Sequence, residues 1–152
     1  MGPLPAAATV GVGVDVLHIA RIRQILQGPS QHTFIRRTFT AAEIAASGDG
    51  PDRSRALAMR FACKEAVFKS LSTSWVDGDE FLDFETTLRP GAAPQVDLGG
   101  RFRRYAEERG ITRIALSISE DADLVVAVAV ALSDGARLLP GDGGDRSGAA
   151  IG

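Results

Sequence analysis

The amino-acid sequence predicts an α+β domain in which a small, largely antiparallel sheet packs against helices. Hydrophobic residues alternate with a period of two over 10–16, 81–88 and 114–119, and residues 124–132 are nearly all Val and Ala; both patterns are typical of strands. The longest helical pattern lies between them, over about 53–71. The last two strands are separated only by a hairpin-length turn, so they are expected to pair antiparallel. At 152 residues the chain is long enough for one domain with a buried core.

The first strand is predicted by valines at every second position from Val10 to Val16, with glycines between them. Asp15 is therefore expected on the face opposite the valines. Apolar residues at helical spacing predict a helix from about Ile19 to Leu26, and Gly28-Pro29 ends it. The glycines lie inside the strand and lack the third glycine of a dinucleotide-binding loop. We interpret them as positions where another backbone approaches the strand closely.

The middle of the chain is predicted to be helical. Thr40 and Glu43 have the spacing of a capping box, which predicts a short helix to about Ala46. After a loop over 47–52, the long helix over 53–71 follows. Its apolar sector contains five large hydrophobic residues: Leu57, Phe61, Val67, Phe68 and Leu71.

Two cations, Arg60 and Lys64, fall inside that apolar sector. One interpretation is structural: their stems lie along the core while their heads reach solvent, or one of them pairs with Asp15. The other interpretation is that they line an anion-binding site, because burying a cation costs free energy unless an anion or a ligand pairs with it. The chain holds 17 cationic side chains, of which only Lys64 and Lys69 are lysines, and both lie on this helix. That placement favours the anion site, since an ammonium is compact where a guanidinium is wide.

The second half of the chain supplies the remaining elements. A half-buried strand is predicted over 81–88, a loop over 90–94, and a helix from about Gly100 to Arg109 that ends at Gly110. The final strand over 124–132 is apolar on both faces, which indicates a central place in the sheet or a subunit interface. We expect residues 1–8 to be loose and residues 133–152, rich in Gly, Asp and Ser, to be disordered.

Composition excludes several classes of function. The formal net charge of -2 does not favour nucleic acid or an anionic membrane as partner. The single cysteine, Cys63, excludes an internal disulfide and a multi-cysteine zinc site, and we interpret it as a core residue. Neither His18 nor His32 has a metal-ligand or catalytic-triad context. The N-terminus has no basic region of a signal peptide, so a cytoplasmic protein is expected.

Asp15 and Glu65 form a candidate pair of carboxylates from different elements. If the first strand meets the long helix, the two could share a Mg²⁺ ion, which takes one or two protein carboxylates and completes its shell with water and phosphate oxygens. The alternative is that Glu65 only pairs with Lys69 four residues later, a contact worth about 0.3 to 0.5 kcal/mol on a helix surface.

Two motifs resemble those of the bacterial holo-acyl-carrier-protein synthases, the short 4′-phosphopantetheinyl transferases. VGVGVDVLHIARI (Val10 to Ile22) resembles the opening strand of that family with its metal-binding aspartate. RFACKEAVFKSL (Arg60 to Leu71) resembles its RFAxKEAxxKAL helix, and weaker similarity extends to Leu132. The resemblance implies the phosphopantetheinyl transferase-like fold in one domain over 9–132, and a homotrimer with clefts between subunits.

The resemblance also implies an activity: Mg²⁺-dependent transfer of the phosphopantetheine arm of coenzyme A to a serine of an acyl carrier protein, in fatty acid or polyketide biosynthesis. It places Mg²⁺ on Asp15 and Glu65, with Glu65 also helping to deprotonate the serine. Lys69 would stabilise charge on the transferring phosphate. Arg60 and Lys64 would hold coenzyme A phosphates, and Arg21 would meet the carrier.

Two departures from the family pattern bear on that activity. Ser119-Glu120 stands where the family has Ser-His beside the coenzyme A phosphates, and Ser72-Thr73-Ser74 replaces a Gly-Thr-Gly turn. A carboxylate about 4 Å from a phosphate costs roughly 4 kcal/mol at an effective dielectric of 20. The alternative function is therefore a divergent member that has lost or exchanged transfer activity and binds, or acts on, a carrier protein or a carrier-tethered intermediate.

Overall fold

The computed structural model describes residues 7–71 and 81–134. The strands are β1 (Ala7–His18), β2 (Phe84–Thr87), β3 (Gln95–Leu98), β4 (Arg113–Asp121) and β5 (Leu124–Asp134). The helices are α1 (Ile19–Gln27), α2 (Gln31–Thr38), α3 (Ala41–Ser47), α4 (Arg53–Ser70) and α5 (Gly100–Glu108), with a 3₁₀ turn over Phe81–Asp83. The predicted α+β class is confirmed.

The main sheet has the strand order β1-β5-β4, and both pairs are antiparallel. The final strand is thus central, as its apolar faces predicted. On the inner face of the sheet, alternate residues of β5 are fully buried: Val125, Ala127, Ala129 and Ala131. These small side chains leave room for α4, which lies across β1 and β5. A separate antiparallel pair joins β2 to β3.

Gly13 sets the distance between β1 and α4. A Cβ atom added there would lie 1.9 Å from the carbonyl oxygen of Ala66 and 2.5 Å from the backbone nitrogen of Ser70. Both atoms belong to the helix backbone and cannot rotate away. The glycine therefore allows a close approach of two backbones, as the sequence predicted.

The helices are held by aromatic packing and by caps. Phe81, Phe84 and Phe102 pack edge to face, with ring centroids 5.8 Å apart for the first two and 5.1 Å apart for the last two. The predicted capping box is present: the Thr40 side chain accepts from the Glu43 N–H, and the Glu43 carboxylate accepts from the Thr40 N–H. α5 ends before Gly110, whose φ is +67°.

Three elements differ from the sequence prediction. The strand predicted over 81–88 begins only at Phe84, because Phe81–Asp83 forms the 3₁₀ turn and leaves Leu82 exposed. β3 was not predicted, since four residues are too short for a clear alternation. α2 was not predicted either, because it carries only two buried residues.

The predicted disordered ends are only partly covered by the structure. Residues 133 and 134, expected in the disordered tail, belong to β5. The other expected tail residues and most of the expected loose N-terminus lie outside the described ranges.

The outer face of the main sheet is apolar and exposed. The β1 valines are between 41% and 58% exposed: Val10, Val12, Val14 and Val16. The register places Val130, Val128 and Val126 of β5 beside the last three of them. We call these seven residues the valine face. Among the helices of the described residues, none combines the length and hydropathy needed to cross a bilayer.

Candidate active site

Asp15 and Lys69 meet where β1 passes the end of α4. The Lys69 Nζ lies 2.9 Å from Oδ1 of Asp15 and donates to the Val14 carbonyl at 3.0 Å. The Asp15 side chain is 14% exposed, and that of Lys69 is 47% exposed. Asp15 lies on the face of β1 opposite the valine face, as predicted. The carboxylate is therefore largely sheltered, while the ammonium remains accessible to a ligand.

Glu65 lies one helical turn before Lys69, close enough for the charge of Lys69 to affect its pKa. Burial raises the pKa of Glu65, and the negative charge of Asp15 raises it further. Lys69 and Arg21 act in the opposite direction on that pKa. Three residues predicted from the sequence, Asp15 on β1, Arg21 on α1 and Lys69 on α4, thus act electrostatically on the fourth, Glu65. We call Asp15, Glu65, Lys69 and Arg21 the acid–amine cluster.

The acid–amine cluster fits a magnesium ion. Two carboxylates lie within electrostatic range of each other there: burial is the main cause of the raised pKa of Glu65, and the negative charge of Asp15 adds to it. The described residues contain no group of three or more His, Cys, Asp or Glu side chains placed to hold a metal. Two carboxylates without a third ligand suit Mg²⁺, which takes its other ligands from water and phosphate. Asp15 and Glu65 are the residues that would hold it.

Lys64 lies elsewhere, and its position does not fit the predicted phosphate contact. Its side chain is fully buried, with Nζ 2.9 Å from Oε2 of Glu43. The same ammonium donates to the carbonyl oxygens of Phe81 at 2.6 Å and Phe84 at 2.7 Å. These three acceptors use all three N–H groups of a lysine. For Lys64, the structural interpretation agrees better with this position than the anion-site interpretation does. Two of its details were wrong: the ammonium pairs with Glu43 instead of Asp15, and it does not reach solvent.

Glu43 is the residue that sequence reasoning missed. Its capping role was predicted, but its second oxygen also accepts from the N–H and the hydroxyl of Thr86, each at 2.7 Å. With Lys64, it ties α3, α4 and β2 together inside the core. The available signal was a cation in the apolar sector of α4, which requires a buried anion somewhere in the chain.

Arg60 lines a cavity of about 530 Å³ that it shares with Arg55, Arg89, Met59, Leu88 and Ile118, among others. Arg60 is 5% exposed, and its Nη1 donates to the Ala56 carbonyl at 3.3 Å. Within the described residues, its buried Nε has no hydrogen-bond partner. Burial lowers the pKa of Arg60. A buried guanidinium with an unused donor on a cavity wall suits an anionic ligand, which is one of the two interpretations that the sequence left open.

Ser119 and Glu120 are adjacent but point to opposite faces of β4. Both are exposed, and Ser119 does not line the cavity of Arg60. Glu120 is held by Arg55, whose Nε donates to both carboxylate oxygens at 2.8 and 2.7 Å. The structure therefore does not bring the two residues into one site in this chain. Ser72 and Ser74, the other departures, lie outside the described residues.

Cys63 is fully buried in the core beside the cations of α4. Burial raises the pKa of its thiol to about 12. A thiol that stays protonated at neutral pH is a poor nucleophile. This position agrees with its interpretation as a core residue.

The comparison with known proteins adds to this geometry. Residues 11–129 match the family model of the 4′-phosphopantetheinyl transferase superfamily. A holo-[acyl-carrier-protein] synthase of Myxococcus xanthus is 38% identical over 125 residues, which cover 82% of this chain and 96% of the relative.

Solved structures show the same fold. The holo-ACP-synthase of Plasmodium yoelii superposes with a TM-score of 0.72 at 28% identity, covering 86% of this chain and 99% of that one. The Helicobacter pylori holo-[acyl-carrier-protein] synthase in complex with coenzyme A gives a TM-score of 0.66 at 30% identity, covering 79% of this chain and 98% of that one.

Proposed function

This chain belongs to the holo-[acyl-carrier-protein] synthase family of the 4′-phosphopantetheinyl transferase superfamily, and from that membership we propose that it transfers the 4′-phosphopantetheine arm of coenzyme A to a serine of an acyl carrier protein. The observation that carries the proposal is the acid–amine cluster. Two carboxylates, an ammonium and a guanidinium from three elements converge at one partly open place. These are the groups that phosphoryl chemistry requires.

In the proposed reaction, the serine hydroxyl oxygen attacks the phosphorus atom that carries the pantetheine arm. A new P–O bond to serine forms, the P–O bond to adenosine 3′,5′-bisphosphate breaks, and this leaving group keeps the electron pair. Glu65 accepts the serine proton, a role for which its raised pKa suits it. Lys69 is placed to offset negative charge on the transferring phosphate.

Asp15 and Glu65 would hold Mg²⁺, which when bound offsets the charge of the diphosphate. Without an ion, the two carboxylates repel each other and an anionic substrate. The amine of Lys69 lies on one oxygen of Asp15, which leaves the second oxygen available as a ligand.

We assign the cavity of Arg60 to the phosphorylated nucleoside end of coenzyme A. Its wall combines guanidinium groups with apolar side chains such as Leu88 and Met59. That mixture suits a ligand with a flat ring and phosphates. Arg21, the member of the acid–amine cluster that is exposed on α1, is proposed to meet the acidic carrier.

We also propose that the chain assembles as a homotrimer through the valine face. Exposed apolar patches of this kind mark interaction surfaces. Light scattering after size-exclusion chromatography measures the assembly. A chain that stays monomeric at micromolar concentration would contradict this part of the proposal.

The transferase proposal is tested by incubating the chain with an apo carrier protein, coenzyme A and Mg²⁺. Mass spectrometry of the carrier should show the added phosphopantetheine arm. Glu65→Gln, which keeps the size of the side chain and removes its charge, should lower the rate by about 10²- to 10⁴-fold. Carrier that remains unmodified by the wild-type chain, while a known transferase modifies the same preparation, would favour the divergent alternative.

Two observations led to that alternative: Glu120, an anion where the family has histidine, and Ser72-Thr73-Ser74, which lies outside the described residues. In the structure, the carboxylate of Glu120 forms an ion pair with Arg55. This pairing removes the electrostatic reason for expecting a loss of activity, and the transferase is the function that we retain.

A further inference from the structure

We infer that Arg55 is a phosphate-binding residue at the cavity of Arg60 and that Glu120 is the residue that positions it. The inference rests on the proposed function, because coenzyme A is taken as the ligand. It concerns an ion pair in which a carboxylate from β4 meets a guanidinium from the first turn of α4.

The contact between the two side chains is a fork. The Arg55 Nε donates to Oε1 and Oε2 of Glu120 at 2.8 and 2.7 Å, and Nη2 also donates to Oε1. Both carboxylate oxygens are therefore occupied on the side that faces Arg55. Glu120 leaves the two N–H groups of Nη1 unused, because its contacts are made only to Nε and Nη2. The ion pair thus fixes the guanidinium plane and still presents donors.

Those donors belong to a residue that lines the cavity. Arg55, Arg60 and Arg89 all contribute to its wall, and none of the described residues lining it is acidic. Glu120 does not line the cavity itself. Its charge therefore lies behind Arg55, and the surface offered to a ligand is cationic. Three guanidinium groups around one concave surface favour a ligand with phosphate groups.

The pair is poorly suited to a purely structural role. The side chains of Arg55 and Glu120 are 48% and 30% exposed. Ion pairs with this exposure contribute little to folding stability. An exposed fork nevertheless holds a long arginine in one orientation, and such preorganisation improves the binding of an anion. The histidine position of the family has then not simply been lost: a donor from α4, anchored by the new carboxylate, takes its place.

The first test is the affinity for coenzyme A, measured by calorimetry on the full chain. Arg55→Ala should raise the Kd by about 10- to 100-fold, the range for loss of a hydrogen bond to a charged group. Glu120→Gln keeps an acceptor but removes the charge, and it should raise the Kd less. Arg55→Lys should not restore binding, because an ammonium lacks the fork. Arg104→Ala, an exposed arginine on α5, is the matched control and should leave the Kd unchanged.

Steady-state kinetics distinguish a Glu120 that positions Arg55 for binding from one that only stabilises the fold. In the carrier assay, Glu120→Gln and Arg55→Ala should raise the KM for coenzyme A while the KM for the carrier stays constant. The thermal midpoints should stay near that of the wild type. A lowered midpoint with an unchanged affinity for coenzyme A would show a structural pair and overturn the inference.

Repeating the titrations with 3′-dephospho-coenzyme A identifies the phosphate. An Arg55→Ala effect on coenzyme A alone supports contact with the 3′-phosphate, and an equal effect on both ligands supports contact with the diphosphate. If the wild-type chain binds coenzyme A and modifies a carrier, but Arg55→Ala binds as tightly as wild type, this inference fails and the proposed function stands. If the wild type neither binds coenzyme A nor modifies a carrier, both fail.

Discussion

Lys64 and Lys69 lie five residues apart on one helix, yet they belong to different parts of the molecule. The Lys64 side chain is fully buried against Glu43, while that of Lys69 is 47% exposed and contacts Asp15. The first ion pair joins three elements of the core, and the second lies at the open edge of β1. Residue type and helix therefore do not decide the role of a lysine here. Burial decides it, because a buried ammonium needs every donor satisfied, whereas an exposed one keeps donors for a ligand.

The same substitution at both lysines gives the largest expected contrast. Lys64→Met should lower the free energy of unfolding by about 3 to 5 kcal/mol, because it leaves the carboxylate of Glu43 buried without its cation. Urea denaturation followed by circular dichroism measures this loss. The double variant Glu43→Gln/Lys64→Met should recover part of it, since both charges are then removed. A Lys64→Met chain as stable as wild type would show that the buried pair has no structural role.

Lys69→Met is the matched change on the exposed side and should act on turnover. Its pair with Asp15 is partly exposed, so unfolding should change by no more than about 1 kcal/mol. In the proposed mechanism Lys69 offsets charge on the transferring phosphate, so its loss should lower kcat by roughly 10²-fold. The carrier assay and the urea transition are measured on the same preparation. Unchanged turnover would place Lys69 outside the chemistry.

Gly13→Ala tests whether the site depends on the approach of β1 to α4. The added methyl would overlap the backbone of Ala66, so we expect a loss of about 1 to 3 kcal/mol in the free energy of unfolding. Asp15 should then shift relative to Glu65, and activity should fall more than stability alone explains. Gly50→Ala is the control, because a Cβ there meets nothing within 4 Å. Equal stability of the two variants would contradict the close contact.

Cys63 gives the smallest effect and reports on the interior of the same helix. With a pKa of about 12 in the folded chain, against 9.0 for an ordinary thiol, the side chain stays protonated between these values only while folded. Since the unfolded chain then binds fewer protons, this group makes stability fall as pH rises above about 9. Iodoacetamide at pH 9 should alkylate Cys63 slowly in the folded chain and rapidly in urea. Rapid labelling of the folded chain would show that this part of α4 opens easily.

Many residues of the candidate site could be predicted from the sequence because the patterns that indicate them lie within single helices or strands. The motif around Asp15 and the row of Glu65 and Lys69 each depend on spacing within one element. The capping box at Thr40 and the close approach at Gly13 were likewise predicted from a few neighbouring residues. By contrast, the strand β3 and the turn at Phe81–Asp83 are set by packing against other parts of the chain. No periodicity over so few residues could indicate them.

The fold class and the family could be predicted from the amino-acid sequence alone, whereas a meeting of Asp15 with Glu65 was one of two interpretations that it left open. The partners of Lys64 and Arg55 on α4 became known from the three-dimensional structure alone. Lys64 turned out to pair with Glu43, which lies 21 positions before it, and Arg55 with Glu120, which lies 65 positions after it. The physical reason is that periodicity fixes the side of an element on which a charge lies, while the energy of that charge depends on burial and on the opposite charge that folding brings to it.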